Sequence, residues 1–165
     1  LVNNHGAMFR VSMEELSLNG WNTIININLT GVFLCSKAVA RKFIEWQKPG
    51  KIINLSSVAG RDGSYLSAHY GASKAGVTNL TKTMALEWSK YGIHVNAIAP
   101  GFIATDEAKK MYDAAIVEKL SHCAPLKRAG RPEEIAYAVI FLASEASSYV
   151  QGATIFVDGG PFSSE

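Results

Sequence analysis

The chain has 165 residues, of which 48% are hydrophobic and 18% charged, and its formal net charge is +2. These values are typical of one globular domain, and so small a net charge gives no reason to expect a nucleic-acid partner. No apolar run approaches 18 residues, so we expect no membrane partner and a cytoplasmic protein. Cys35, Cys123 and the four scattered histidines lack the spacing of a disulfide framework or a metal site.

The first helix is predicted to begin near Ser12, because Ser12-Met-Glu-Glu15 fits a capping box. It continues, with breaks, to about Trp46. A second helix is predicted from about His69 to Lys90, where the following Tyr-Gly pair ends it.

A third helix is predicted to begin at Pro132, since proline favours the first turn. Its apolar stripe comprises Ile135, Val139, Ile140 and Leu142. Between the second and third helices, residues from about 105 to 122 combine helical spacing with charge, which is typical of a flap over a substrate. Met111 and Tyr112 are candidates to line the pocket beneath it. A surface helix that packs on its own domain is the alternative.

Short β-branched runs alternate with these helical patterns. The runs are 52–55, 94–98 and 154–157. Such alternation is typical of parallel strands joined by crossover helices and predicts an α/β fold. In an open parallel sheet the carboxyl ends of the strands share one edge, so we expect Asn3, Ser57 and Pro100 to converge there.

Tyr70 and Lys74 carry the strongest chemical signal. They lie four residues apart in a predicted helix and therefore share one face. A neighbouring ammonium group would lower the pKa of a phenol from about 10 and suit it to general acid–base chemistry. Ser57 follows a predicted strand and could present its hydroxyl to the same place. Taken alone, Tyr-x-x-x-Lys is weak evidence, and a helix-start aromatic beside a surface charge is the alternative.

Five sequence blocks occur in order along the chain. They are Leu1-Val-Asn-Asn-His-Gly6, Asn26-Ile-Asn-Leu-Thr-Gly31, Ser56-Ser-Val-Ala-Gly60 with Tyr70-Gly-Ala-Ser-Lys74, Asn96-Ala-Ile-Ala-Pro-Gly-Phe-Ile-Ala-Thr-Asp106, and Val157-Asp-Gly-Gly160. Together they resemble the classical short-chain dehydrogenase/reductase family, whose members interconvert carbonyls and alcohols with a nicotinamide cofactor. The resemblance covers nearly the whole chain. It departs from the family at His5, where the usual residue is alanine.

The resemblance implies a Rossmann-like, doubly wound parallel sheet, with residues 1–165 forming the C-terminal part of one domain. The sequence then begins inside the family's fourth strand, and about 80 residues precede that point at roughly 30 residues per strand–helix unit. No glycine-rich phosphate loop follows an N-terminal strand in this sequence. We therefore expect the N-terminal strands and the dinucleotide loop to be absent from this chain.

The resemblance also implies roles for individual residues. Tyr70 is the expected general acid/base, and Ser57 holds the substrate oxygen. Lys74 lowers the phenol pKa and bonds the nicotinamide ribose, while Asn28 holds a water that links Lys74 to bulk proton supply. The implied cofactor-binding residues are Asn3 near the adenine ribose, Tyr70, Lys74, Pro100 and Gly101 in a shaping turn, and Ile103 and Thr105 at the carboxamide.

The expected function is an oxidoreductase that uses NAD or NADP to act on a small carbonyl or alcohol. The segment that selects between the two cofactors is absent from the sequence, so that choice stays open. The sequence is most similar to 3-oxoacyl-acyl-carrier-protein reductases and sugar or polyol dehydrogenases. The family resemblance also implies a homotetramer or homodimer. Two alternatives are a 2,4-dienoyl-CoA reductase and, if these residues are the entire polypeptide, a truncated non-catalytic interaction module.

Overall fold

One parallel sheet organises the chain. The computed structural model describes residues 1–160, except for the side chains of Glu107, Lys109 and Met111. Four strands lie in the spatial order in which they occur in the sequence. The strands are β1 (Val2–Asn3), β2 (Gly50–Leu55), β3 (Ile93–Pro100) and β4 (Thr154–Val157). The predicted α/β class with parallel strands is confirmed.

Helices connect the strands and cover both faces of the sheet. They are α1 (Leu18–Ile25), a π-helical turn (Asn26–Thr30), α2 (Gly31–Glu45), α3 (Ala68–Trp88), α4 (Asp106–Met111), α5 (Ala114–Cys123) and α6 (Pro132–Ala143). The predicted start of α6 at Pro132 is confirmed. After α3, Ser89–Tyr91 forms one 3-10 turn, and Gly92 adopts the left-handed conformation with φ of 70°.

The predicted start of the first helix at Ser12 is wrong. Glu15 N–H donates to the Ser12 carbonyl in an isolated turn, and α1 begins at Leu18. The Ser17 hydroxyl caps α1 by accepting a 3.1 Å bond from Gly20 N–H. A capping pattern fixes a helix only where a buried face follows, and Ile24 is the first buried residue of this region.

The stripe predicted on α6 is correct except for Ile140. Leu142 is 1% exposed, and Ile135 and Val139 pack beside it against the sheet, whereas Ile140 is 62% exposed. At 100° per residue, Ile135, Val139 and Leu142 share one side of the helix and Ile140 lies on the other.

The two faces of the sheet have separate cores. Alternation along β2 sends Ile52 into a cluster with Met84 of α3, and Ile53 into a cluster with Leu142 of α6. The first cluster lies under α2 and α3. The second lies under α6.

The stretch Leu18–Glu45 is, by length and composition, long and apolar enough to cross a membrane, with a mean hydropathy of 1.4 over its best window. This finding differs from the sequence expectation, which considered only uninterrupted apolar runs. It is weak evidence for a membrane span, because a core helix passes the same test. Here Ile24, Val32 and Ala40 are buried within the fold.

Candidate active site

A cavity of about 500 Å³ opens at the carboxyl edge of the sheet. Asn4, Ser56 and Pro100 line it, and each lies at or just after the end of a different strand. Tyr70 and Lys74 of α3 complete one wall. The predicted convergence of the strand-end loops is therefore confirmed, although Asn4 and Ser56, not Asn3 and Ser57, line this cavity.

Lys74 is buried beside Tyr70. Its side chain is on the same side of α3, and its Nζ atom lies 5.7 Å from the centre of the Tyr70 ring. Only 4% of the residue is exposed, and Nζ donates a 2.8 Å hydrogen bond to the Leu55 carbonyl at the end of β2. Burial lowers the pKa of Lys74 to about 8, because desolvation penalises the ammonium form.

The expected lowering of the Tyr70 pKa is wrong for this arrangement. Burial raises the pKa of Tyr70 above its ordinary value by disfavouring the phenolate. The Ser57 hydroxyl partly opposes this shift by bonding the phenol oxygen, and the proximity of Tyr112 adds to it. Desolvation is the largest of these effects, and the Lys74 ammonium donates to the Leu55 carbonyl. The phenol is therefore protonated at neutral pH.

Ser57 lies outside the lining of the cavity that Tyr70 and Lys74 border. Its backbone is extended, and its hydroxyl accepts a 3.2 Å bond from Ala59 N–H at the start of a 3-10 turn, Val58–Gly60. The hydroxyl also opposes part of the rise in the pKa of Tyr70. Ser57 lines a second cavity of about 400 Å³.

Asn28, in the π-helical turn, connects the loop at Ala7 to Ser73 of α3. Its Oδ1 accepts a 2.8 Å bond from Ala7 N–H, and its Nδ2 donates to the Ala7 carbonyl at 3.0 Å. Nδ2 also donates to the Ser73 hydroxyl, which in turn donates to the Tyr70 carbonyl. A π-helical turn inside a helix often marks a functional site. The role of Asn28 in holding a water stays a prediction.

Asn3 does not reach the cavity. Its side chain is buried between β1 and α2, where Nδ2 donates to Ser36 Oγ at 2.9 Å and to Asn54 Oδ1 at 2.8 Å. Both amide donors of Asn3 are thus used within the fold, and its place near the adenine ribose stays a prediction. The adjacent Asn4 is exposed and lines the cavity.

The Pro-Gly segment after β3 is divided between two roles. Pro100, Ile103 and Thr105 line the cavity, and their contacts with a cofactor stay a prediction. Thr105 Oγ1 also caps α4 by accepting from Ala108 N–H at 3.1 Å. Gly101 lies outside the lining, and a Cβ there would come within 2.8 Å of Asp158 Cα. Its role is thus close packing against the turn after β4.

His5 and the predicted flap border the cavity on its open side. His5 is exposed and lines the cavity, and its Nε2 fits against Gly31, where a Cβ would come within 2.7 Å. The stretch 105–122 contains α4 and α5 in place of one helix, because Asp113 caps a new start. Tyr112 lines the cavity, while the side chain of Met111 lies outside the described residues.

Two contributors were missed by the sequence reasoning. Ser73 links Asn28 to α3, and its position three residues after Tyr70 on the helix was the available signal. Phe102 lines the cavity and stacks edge-on to Tyr112 at 6.2 Å between ring centres. Within the described part of the chain, no group of three or more His, Cys, Asp or Glu residues is placed to hold a metal ion.

Comparison with known proteins agrees with this geometry. A family model described as Enoyl-(Acyl carrier protein) reductase matches residues 1–161. The 3-oxoacyl-[acyl-carrier-protein] reductase of Synechocystis sp. is 46% identical over 161 residues, covering 97% of this chain and 63% of that protein. A probable 2,4-dienoyl-CoA reductase of Bacillus subtilis is 42% identical over 163 residues, covering 97% and 64%.

Solved structures share the fold. A gluconate 5-dehydrogenase from Burkholderia cenocepacia J2315, in complex with NADP and tartrate, superposes with a TM-score of 0.91 at 41% identity, covering 96% of this chain and 62% of that one. A 4-hydroxyisoleucine dehydrogenase complexed with NADH gives 0.89 at 31% identity, covering 97% and 67%. The chain thus spans 62% to 67% of the length of these proteins. By the family match and these relatives, the chain belongs to the short-chain dehydrogenase/reductase family.

Proposed function

We propose that the protein is an NAD(P)-dependent oxidoreductase that transfers hydride between nicotinamide and a carbonyl or alcohol, with Tyr70 as general acid/base. One observation carries the proposal: Tyr70 and Lys74 line a single cavity at the carboxyl edge of a parallel sheet. Ligands of open α/β sheets bind at this edge. A buried lysine beside a partly buried tyrosine is costly to maintain and has a clear use in proton transfer.

The cavity suits a nicotinamide group. Gly6 forms part of the lining, and a Cβ at this position would lie 3.4 Å from Lys74 Nζ, so glycine leaves room beside the ammonium. Lys74 would bond the ribose, and Ile103 and Thr105 the carboxamide. When bound, the nicotinamide supplies or accepts the hydride. Structural relatives that carry NADP or NADH support this assignment.

The protein's own residues move the proton. Tyr70 is protonated at neutral pH, because burial raises its pKa, so it is ready to donate a proton to a carbonyl oxygen as negative charge develops there. Ser57 bonds the same oxygen and orients it. After the proton leaves, Lys74 stabilises the phenolate and, with its pKa of about 8, can itself lose a proton near neutral pH. Asn28 fixes the loop at Ala7 opposite these groups.

The direct test is hydride transfer by the full-length protein, followed at the absorbance of the reduced nicotinamide. NADH and NADPH are each offered with a 3-oxoacyl thioester, a keto sugar acid and a steroid ketone. We expect turnover of at least one ketone with one cofactor. Binding of neither cofactor at millimolar concentration would contradict the proposal and favour a non-catalytic interaction module.

A second candidate is reduction of a conjugated carbon–carbon double bond. The Bacillus subtilis relative, a probable 2,4-dienoyl-CoA reductase, favours it. A 2,4-dienoyl thioester included in the same panel separates the two reactions, because its product is still a thioester without a new hydroxyl group. Turnover of this substrate alone would replace the ketone assignment.

We also propose a cytoplasmic homotetramer or homodimer that acts on a small molecule. Exposed apolar residues on the outer helices support self-association, notably Leu34 of α2 and Leu86 of α3, which are 56% and 81% exposed. Sedimentation equilibrium of the full-length protein tests this: a monomer at all concentrations would contradict it.

A further inference from the structure

The 3-10 turn that follows Ser57 orients the hydroxyl of this residue. Ala59 N–H donates to the hydroxyl at 3.2 Å, and Gly60 N–H donates to the Ser57 carbonyl at 3.0 Å. One side of the turn packs against α3, since a Cβ at Gly60 would come within 2.7 Å of the backbone carbonyl carbon of Lys74. A shift of the turn would therefore move the Ser57 hydroxyl with it.

The turn is separated from β4 by the second cavity. This cavity of about 400 Å³ is lined by Ser57 and Gly60 of the loop and by Thr154 and Phe156 of β4, so a gap lies between the two segments. Close packing does not hold the turn to the strand there. A side chain that spans the gap can do so, and Arg61, the residue that ends the turn, also lines it.

Arg61 reaches across the gap to the end of β4. Its guanidinium stacks over the Phe156 ring at 4.4 Å from the ring centre, and its Nη2 atom lies 3.7 Å from Asp158 Oδ2. The other carboxylate oxygen of Asp158 accepts a 3.0 Å bond from Gly160 N–H. The Asp158 side chain is only 8% exposed, so loss of the guanidinium would leave a nearly buried carboxylate without its counter-charge.

Asp158 connects Arg61 to the segment that follows β3. Gly101 N–H donates to the Val157 carbonyl at 3.1 Å, and a Cβ at Gly101 would come within 2.8 Å of Asp158 Cα. Pro100, the neighbour of Gly101, lines the cavity of the candidate active site. Arg61 and Asp158 thus join the loops that follow β2, β3 and β4 at the carboxyl edge of the sheet.

We propose that Arg61, Phe156 and Asp158 form a positioning unit, the Arg61 bridge, which fixes the Ser57 hydroxyl relative to the Pro100–Gly101 segment. None of the three lines the candidate active-site cavity, so they act through Ser57 and are not catalytic residues. The inference rests on the proposed function, in which Ser57 holds the substrate oxygen beside the nicotinamide. A displacement of about 1 Å between reacting groups can lower turnover by about 10²-fold.

Two carboxylates pair with the same guanidinium, and they provide a matched control. Asp62 is 45% exposed and pairs with Arg61 at 2.9 Å from the same loop, whereas Asp158 lies beyond the gap. Asp158→Asn therefore weakens the link between loops, and Asp62→Asn removes a charge within one loop only. Arg61→Met keeps a flexible apolar stem against the Phe156 ring and removes the positive charge.

Amide hydrogen exchange tests the Arg61 bridge in the full-length protein without cofactor or substrate. The probes are the N–H groups of Gly60, Arg61 and Gly101, each bonded within one of the joined loops. In Arg61→Met and Asp158→Asn their exchange should be about fivefold faster than in the parent, and in Asp62→Asn it should be unchanged. Equal exchange in the parent and all three variants would overturn the bridge, whether or not the protein transfers hydride.

Single-turnover reduction of a ketone tests the action through Ser57. Arg61→Met should slow the reaction about tenfold, and Asp62→Asn should keep the parent rate. Ser57→Ala already removes the positioned hydroxyl, so adding Arg61→Met to it should slow the reaction no further, which a general loss of stability would not produce.

A parent rate in Arg61→Met, or a further tenfold loss in the Ser57→Ala background, would overturn the positioning role. Absence of turnover in the parent would instead contradict the proposed function, and the exchange rates would still decide whether Arg61 and Asp158 hold the loops together.

Discussion

Helix α3 and the α4–α5 segment border the same cavity but are held very differently. Eight residues of α3 are buried, including Lys74, whereas no residue of α5 is buried. The groups that we propose to move the proton lie on the firmly packed element. The α4–α5 segment, on the proposed substrate side, has little apolar area to hold it, so we expect it to open at low free-energy cost. The proposed function thus assigns chemistry and substrate access to elements of different stability.

Polar as well as apolar contacts hold α3 against the sheet. Asn3 of β1 bonds Asn54 of β2, and Asn54 donates to Thr81 of α3 at 2.9 Å. These three buried groups tie two strands to the helix that carries Tyr70. A satisfied buried network of this kind fixes one arrangement of its elements, because any shift leaves a donor unpaired. The α4–α5 segment has helix caps and a stacked ring in place of such a network.

The largest effect is expected from Tyr70→Phe. The proposed function requires this variant to lose about 10²- to 10⁴-fold in kcat, because the proton donor is removed while the ring is kept. Its thermal unfolding midpoint should stay close to that of the parent. Tyr137→Phe, at a 66% exposed site on α6, is the control and should keep full activity. A normal kcat in Tyr70→Phe would show that Tyr70 is not the proton donor.

Asn28→Ala tests how much the two hydrogen bonds between Asn28 and Ala7 stabilise the firmly packed region around α3. The substitution leaves both backbone groups of Ala7 without their partner in a partly buried position, which should cost about 2 kcal/mol in the free energy of unfolding. Urea denaturation measures this loss. Asn22→Ala, at an exposed position on α1, should change it by less than about 0.5 kcal/mol. Similar small losses in both variants would show that these two hydrogen bonds contribute little.

Lys74 predicts a pH dependence of stability. Its pKa is about 8 in the fold and 10.5 as the ordinary value, so between these limits the unfolded state binds more protons and stability rises with pH. From pH 7 to pH 10 the gain from this group is about 2.5 kcal/mol. Urea denaturation of the parent and of Lys74→Met across that range measures it. The variant lacks the titrating amine and should lose the rise.

An equal rise in the parent and in Lys74→Met would mean that Lys74 keeps an ordinary pKa in the fold. Lys37→Met, at an exposed position on α2, is the matched control, since its substitution should leave the rise intact. The measurement stays below about pH 10, because Tyr70 has a raised pKa and begins to act in the opposite direction near the ordinary phenol pKa.

The sequence predicts the firm side better than the α4–α5 segment. β2, β3 and β4 are β-branched runs, and the pairing of Tyr70 with Lys74 follows from helical spacing, so local pattern is enough for both. The π-helical turn at Asn28 depends on a bond to Ala7, 21 residues earlier in the chain, which no local pattern contains. The break at Asp113 depends on one cap, which the continuous helical spacing of 105–122 conceals.

The wrong prediction for the pKa of Tyr70 has a physical cause. The sequence shows a cation beside the Tyr70 phenol and predicts a lowered pKa, but it does not show how deeply both groups are buried, and burial decides the sign. The sequence also does not show which of Asn3 and Asn4 lines the cavity. β1 has only two residues in the sheet, too few for alternation to show which asparagine faces the interior.

The smallest expected effect comes from removing one helix cap in each of the two regions, and it compares their stability directly. Asp113 Oδ1 caps α5 by accepting a 2.8 Å bond from Ile116 N–H, and Ser17 caps α1 in the same way. Removing either cap as alanine costs about 1 kcal/mol. In Asp113→Ala, amide hydrogen exchange in α5 should speed up about fivefold while the global unfolding free energy is unchanged, because we expect α5, which has no buried residue, to open on its own. Ser17→Ala should instead lower the global value, since α1 packs on α3. Equal global losses in both variants would show that α5 unfolds together with the sheet, and a free opening of the α4–α5 segment over the cavity would then be excluded.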